Sequence, residues 1–238
     1  MGRLETDRPG NAWVIGVTGG VGAGKSRVLG ILKEEYGAHV LLADEVAAEL
    51  EKPGQEGFRR LVEHFGEGIL SADGKLDRAA FADRIFKDPG ELAKVNAMIH
   101  PLAWQELKRQ VTALASSAEE GQDMLIVVEA ALFDGQSRRL CDTLWYVDAS
   151  EENRILRLME NRGYTREKCR DIIRRQPARE EFLAFSDAVI DNNGTPEETR
   201  QQLVRLLGSS RRCPAEGRGT SGCRQRKAGK QDNSDEIS

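Results

Sequence analysis

The stretch Gly19-Gly20-Val21-Gly22-Ala23-Gly24-Lys25-Ser26 constrains this chain more than any other. It completes a G-x-x-x-x-G-K-S pattern directly behind the apolar run Trp13-Val14-Ile15-Gly16-Val17-Thr18. Glycines at these places let the backbone curl until successive N–H groups converge on an anion. The lysine adds a cation for the outer phosphates, and the serine hydroxyl is suited to a Mg²⁺ shell. Behind the loop, Val28, Leu29, Ile31 and Leu32 fall at helical spacing over residues 26–36, so a helix N-terminus aims at the same anion. A strand, a phosphate-cradling loop and a helix in succession demand a parallel α/β sheet.

The remaining sequence agrees with that demand. Strands are expected at 13–18, 39–42, 124–129, 144–148 and 188–190, short and rich in β-branched residues, with helical patterns between them. That alternation predicts a three-layer α/β fold with a five-stranded parallel sheet covered on both faces. Two helical insertions interrupt it. The first, about 45–118, is punctuated by Pro53-Gly54, Asp73-Gly74, Pro89-Gly90 and His100-Pro101, read as turns or helix starts. The second, about 151–185, carries Arg154, Arg157, Arg162, Arg166, Arg170, Arg174, Arg175 and Arg179. Arginines interleaved with glutamates at helical spacing commonly form a solvated face, and two or three of these are expected to turn to nucleotide phosphates. Residues 1–12 read as a polar lead-in, 13–207 as the folded domain, and 208–238 as a disordered basic and polar tail with too little apolar surface to offset its ordering entropy.

At 238 residues and net charge −4 the chain suits one domain with insertions and no bulk nucleic-acid binding. The four cysteines show no metal-ligand spacing, and no apolar run reaches membrane-spanning length. The polar start lacks the apolar core of a signal peptide. A cytoplasmic protein without membrane, nucleic-acid or obligate protein partners is expected.

A phosphate loop names a superfamily, so the neighbouring residues must narrow the reaction. GTPases read their base with Asn-Lys-x-Asp, which this sequence lacks. A helical acceptor insertion and an arginine-rich lid fit a small-molecule kinase, where catalysis is mostly positioning and charge neutralisation. Asp44 ends the second strand, at the sheet edge where ligands of open α/β sheets bind. It suits a proton acceptor for a hydroxyl, a Mg²⁺ ligand through water, or the N-cap of a helix at 45–50. Glu129 ends the third strand and is read either as a metal-shell carboxylate or as a plain strand-end charge, with Asp134 just beyond it. His100 either meets substrate or caps a helix.

Taken in order, these pieces resemble one family. Residues Gly16 to Ser26, Ala43-Asp44, Pro53-Gly54, Phe65-Gly66, Ala72-Asp-Gly-Lys-Leu-Asp-Arg78, His100-Pro101, Gln176 and Val189-Ile-Asp-Asn-Asn-Gly194 together resemble the dephospho-CoA kinases. The resemblance covers about 14–207. It implies transfer of the ATP γ-phosphate to the ribose 3′-hydroxyl of dephospho-coenzyme A, with Mg²⁺ as cofactor and ATP as co-substrate. It also implies catalytic roles for Lys25, Asp44 and Arg157. ATP is expected along Gly20, Val21, Gly22, Ala23, Gly24, Lys25, Ser26 and Arg27, with Asn193 by the adenine. The acceptor falls to His100 and Arg78, and the metal to Ser26 and Glu129. The chain departs from the family pattern at Leu42, Ala48, Ala130, Ala131, Asp134 and Asn161, and at Arg27. Two alternatives stay open: a kinase for another nucleoside-like acceptor, and a nucleotide-binding regulator without turnover.

Overall fold

A computed structural model describes residues 12–119 and 123–210. Five strands, β1 (Ala12–Thr18), β2 (His39–Leu42), β3 (Met124–Glu129), β4 (Thr143–Asp148) and β5 (Ala188–Asp191), form one sheet in the order β2-β3-β1-β4-β5. Every pairing is parallel. All five strands lie where the alternation of apolar runs predicts them, to within a residue at either end. The order puts β1, and therefore the phosphate loop, at the centre.

Alternation within the strands explains how one sheet feeds two cores. Ile15, Val17, Leu125, Val127, Trp145 and Val147 point to one face, where they bury Val28, Ile31 and Leu32 of α1 (Lys25–Tyr36). Leu203 and Leu207 of α9 (Pro196–Ser210) close that core. Val14, Ile126, Val128 and Leu144 take the opposite face, against Val46 of α2 (Ala43–Leu50) and Ala103, Leu107 and Val111 of α5 (Pro89–Ser117). Because successive strand residues face opposite ways, both cores need near-continuous apolar strands. Truncating a wholly buried residue such as Leu107 to Ala costs about 2–5 kcal/mol.

The first insertion runs through α2, α3 (Glu56–Phe65), α4 (Arg78–Lys87) and α5, with a short 3₁₀ turn at Glu67–Ile69. It is not wholly helical: an isolated antiparallel bridge joins Leu70 to Leu76 around the Asp73-Gly74 turn. A larger correction concerns His100-Pro101. The pair does not start a helix but lies inside the 29-residue α5. A proline there removes one backbone bond and strains the preceding turn, at about 3 kcal/mol. Burial on both sides offsets that cost. Val95, Ile99, Ala103, Leu107, Val111 and Ala115 are all buried, spaced four apart, so their stripe winds roughly 40° around the helix per step. Its early members pack into the insertion's own core with Leu61, Ile69 and Phe81, and its later ones face the sheet.

Helices α6 (Glu151–Arg162), α7 (Arg166–Arg174) and α8 (Arg179–Phe185) make the second insertion. Helix α9 runs on to Ser210, taking up the first three residues of the expected tail, because Leu203 and Leu207 keep its stripe buried. The rest of the tail, with its Arg224–Lys227 run, and the lead-in up to residue 11 lie outside the described residues, as do Cys213 and Cys223. Cys141 and Cys169 are buried. No helix among the described residues is long and apolar enough to cross a membrane.

Candidate active site

The phosphate loop leaves β1 at Thr18 and enters α1 at Lys25. Gly22 and Gly24 take φ of +77° and +91°, which L side chains rarely adopt. A β-carbon at Gly22 would stand 2.8 Å from the Arg154 carbonyl, and one at Gly24 would collide with the Asn192 amide. The first turn of α1 has no side-chain cap. Its leading N–H groups therefore keep the anion-seeking character of an open helix start.

Three charged groups, Lys25, Glu129 and Asp44, meet beside the loop. Lys25 Nζ donates to the Gly19 carbonyl at 2.8 Å and lies 3.4 Å from Glu129 Oε1. Glu129 ends β3, in register with Val17 of β1 and Leu42 of β2. Burial pushes its carboxyl above the usual carboxylate range; Lys25 opposes that shift and the Asp44 charge adds to it. Asp44 follows β2. It is not the cap of α2, as one expectation had it: β2 passes straight into a helix whose N-cap is Leu42, so Asp44 falls in the first turn and meets the helix through its dipole alone. That leaves its carboxylate exposed toward the site.

From the other side, α6 and the turn after β5 grip the loop. Arg157 Nη1 donates to the Ala23 carbonyl at 3.0 Å and Nη2 to that of Asn192 at 2.5 Å. Burial, then the neighbouring Arg27 charge, lowers the Arg157 pKa, so two guanidinium groups converge where an anion would relieve them. Asn192 is fully buried. Its Nδ2 donates to Ala23 O at 2.7 Å, while its Oδ1 accepts from Thr199 at 2.9 Å and Arg27 at 3.1 Å. Arg154 Nε donates to Val21 O at 2.9 Å, and Gln176 Oε1 accepts the Val21 N–H at 3.0 Å. That Asn192, Arg154 and Gln176 hold the loop itself is what sequence reasoning missed, having expected the 192–194 turn only by the adenine. The signals for them were the place of Arg154 in the lid cluster, and Gln176 and the Asn-Asn-Gly run within the family pattern. Asn193 itself turns to the start of α6, accepting from Ser150 N at 2.7 Å and Asn153 Nδ2 at 2.9 Å.

Beside Asp44 a cavity of about 440 Å³ opens between the first insertion and α8. Ala47, His100 and Trp104 wall one side, Ala130 to Asp134 the floor, and Pro177, Glu181, Phe182 and Phe185 the other side. His100 thus lines the same cavity as Asp44, from the middle of α5. Arg78 stands elsewhere, exposed at the start of α4 with Glu51 at 3.6 Å. Of the lid arginines, Arg166 pairs with Glu152 and Arg179 with Asp148, which matches the expected solvated face. Asn161 donates to the Arg157 carbonyl at 2.9 Å.

A Mg²⁺ ion prefers hard oxygen donors and takes only one or two protein ligands, filling its shell with water and phosphate. The exposed Ser26 hydroxyl and the Glu129 and Asp44 carboxylates, near enough for one to raise the other's pKa, supply that chemistry. Among the described residues no group of three or more His, Cys, Asp and Glu forms a dedicated metal cage, and such an ion needs none.

With this geometry in place, the sequence model of dephospho-CoA kinases matches residues 13–198. The chain belongs to the dephospho-CoA kinase family. Among curated relatives, dephospho-CoA kinase of Carboxydothermus hydrogenoformans is 34% identical over 82% of this chain and 92% of its own. That of Geobacillus kaustophilus is 37% identical over 81% and 94%, and that of Escherichia coli K12 is 36% identical over 82% and 91%. A crystal structure from Thermus thermophilus superposes with a TM-score of 0.67 at 28% identity, covering 85% of this chain and 98% of that one. A dephospho-CoA kinase from Campylobacter jejuni shares the fold, with a TM-score of 0.56 at 20% identity over 83% and 97%.

Proposed function

We propose that this chain transfers the γ-phosphoryl group of ATP to the ribose 3′-hydroxyl of dephospho-coenzyme A, releasing coenzyme A and ADP. One observation carries the reading beyond family membership. An apolar cavity large enough for a small acceptor opens at Asp44, whose charge acts on Glu129, the partner of Lys25 at 3.4 Å.

In that reading the loop amides and the start of α1 hold the ATP phosphates, and Lys25 swings from Glu129 to the outer ones. Arg157, already at the loop, neutralises charge as the bond from the γ-phosphorus to the bridging oxygen lengthens. Asp44 accepts the hydroxyl proton while the acceptor oxygen bonds to phosphorus, and ADP departs with the bridging oxygen. His100 and Trp104 orient the acceptor, and the walls of α5 and α8 exclude water. Ser26, with Glu129 or Asp44 through water, would hold Mg²⁺, whose contribution is neutralising the β- and γ-phosphate oxygens.

A coupled assay of ADP release with ATP, Mg²⁺ and dephospho-coenzyme A tests this. Release well above the acceptor-free rate is expected, and coenzyme A should accumulate in equal amount. ADP release at the acceptor-free rate would refute the assignment, and turnover with a different hydroxylated acceptor would redirect it.

A further inference from the structure

Gln176 ties the phosphate loop to one wall of the acceptor cavity. Val21 stands at the outer bend of the loop, and both its backbone groups are held from the second insertion. Gln176 accepts its N–H at 3.0 Å and Arg154 donates to its carbonyl at 2.9 Å. Arg154 also donates to the same Gln176 oxygen, which closes the triangle. A β-carbon at Gly20 would run into the Arg154 guanidinium, so that group lies flat against the loop. Burial lowers the Arg154 pKa, in keeping with a cation held by neutral oxygens.

Gln176 sits between α7 and α8, and the next residue, Pro177, already lines the acceptor cavity. From there α8 carries Glu181, Phe182 and Phe185 along the cavity wall. Its other anchors are on β4: Arg179 pairs with Asp148 at 2.7 Å, and Phe182 stacks on Tyr146 at 5.0 Å with planes 3° apart. Those contacts hold α8 to the sheet. Among the described residues of this wall, Gln176 is the one that hydrogen-bonds the phosphate loop, so a change in the loop's bend bears on Gln176 and, through the rigid Pro177, on the start of α8.

We propose that Gln176 is a positioning residue that, with Arg154, couples nucleotide occupancy of the phosphate loop to the shape of the acceptor cavity. The coupling rests on the kinase reading above and goes beyond it. ATP bound at the loop sets the wall for the acceptor, and by linkage the acceptor strengthens ATP binding by the same factor.

The experiment is calorimetric titration of dephospho-coenzyme A into the full chain, with and without saturating Mg²⁺ and adenylyl imidodiphosphate. The readout is the ratio of the two dissociation constants. In the wild type the nucleotide analogue should tighten acceptor binding by at least about fivefold, the lower bound of usual coupling. Gln176→Ala should bring the ratio to about one, and Gln176→Glu should restore it, since a carboxylate oxygen accepts the same Val21 N–H. A generally damaged fold would weaken both titrations alike and leave the ratio standing. Arg154→Met, which removes the other arm of the triangle, should also abolish the ratio and serves if Gln176→Ala does not fold. A wild-type ratio of one, or a wild-type ratio kept in Gln176→Ala or Arg154→Met, overturns the coupling. Turnover assayed on the same wild-type preparation separates the two claims. Turnover with a ratio of one removes the coupling and keeps the activity. Absence of turnover removes the activity on which the coupling rests.

Discussion

Asn192→Ala probes how far the phosphate loop depends on a side chain from the opposite end of the sequence. Asn192 is wholly buried. Its amide donates to Ala23 O at 2.7 Å, and its carbonyl oxygen accepts from the buried Thr199 hydroxyl at 2.9 Å. Each such bond is worth about 1 kcal/mol net, and an orphaned partner adds about 1–3 kcal/mol more. Neither partner is fully orphaned. Ala23 O keeps Arg157 at 3.0 Å, and Thr199 still reaches Thr195 O at 3.3 Å. The bond from Arg27 at 3.1 Å is solvent-screened and adds little. The two bonds and a small void therefore sum to about 2–3 kcal/mol. For a domain of this size that is roughly 4–12 °C in Tm. Urea unfolding followed by circular dichroism measures it, with Thr199→Val as partner in a double-mutant cycle. Thr199→Val alone should cost about 1 kcal/mol, and the double variant should cost about 1 kcal/mol less than the sum. Nucleotide affinity should fall too, because binding must then order Gly22 to Gly24 itself. Loss under about 0.5 kcal/mol, or strict additivity with Thr199→Val, refutes the clamp.

The catalytic assignments make sharper claims. Lys25→Ala should abolish turnover, since the outer phosphates lose their fixed cation; a kcat near the wild-type value would contradict the loop's role. Asp44→Asn should cut kcat by roughly 10²–10⁴-fold if its carboxylate takes the hydroxyl proton, and a loss of only a few-fold would leave it as a helix-start charge. Glu129→Gln should change the pH dependence of stability. Burial, reinforced by Asp44, raises the Glu129 pKa above its usual 4.5, so the native state holds this proton longer than the unfolded chain. Wild-type stability from this group is full below about 4.5 and declines as pH rises through the raised value. The Tm of Glu129→Gln minus that of the wild type should grow over that window and then level off; a flat or shrinking difference would refute the sign. Asp134→Asn should lower Tm while leaving kcat within a few-fold, since its Oδ1 already accepts from Gln136 N, Ser137 N and Ser137 Oγ at 2.9, 2.7 and 2.8 Å; a large kcat loss would give it a part in the chemistry.

The elements were legible wherever local chemistry decides them. Strands buried on both faces announce themselves as short runs such as Leu125 to Val128, and glycine-rich curvature between a strand and a helix has few structural outcomes. Asp44 and Glu129 were legible because strand ends of a parallel sheet are where ligands bind. Pro101 misled because a proline's local preference is weaker than a stripe of buried residues on both sides of it. The grip of Asn192, Arg154 and Gln176 on the loop stayed hidden for a different reason. Their partners lie 169, 133 and 155 residues away, and no periodicity or spacing encodes a contact made only when the sheet order is known. Arg78 shows the converse. Its place in the family pattern suggested the acceptor, yet its side chain pairs with Glu51.

Departures from the family pattern gain meaning from where they cluster. The segment after β3 reads Ala130-Ala131-Leu132-Phe133-Asp134, and all five residues line the cavity. Ala130 is tied down by its N–H to Val17 O at 3.2 Å, and the Ala131 carbonyl accepts from Thr18 at 2.9 Å, so the backbone stays bound to β1 without larger side chains. Phe133 then fills the space toward α5, its ring 5.3 Å from that of Trp104. Asp134 turns to the following 3₁₀ turn, where the Ser137 N–H, the Ser137 hydroxyl and the Gln136 N–H bond its Oδ1 and hold its pKa low. Asp44, in the first turn of α2, and Glu129, at the end of β3, stand close enough for one charge to raise the other's pKa. Opposite them, Ala43, Ala47 and Ala103 keep the cavity wide where α2 meets α5. A pocket walled by alanines and aromatic rings gains affinity by excluding water from an apolar ligand surface. One wall of it is held by the anchoring of α8 to β4, while Ala48 of α2 brings no charge.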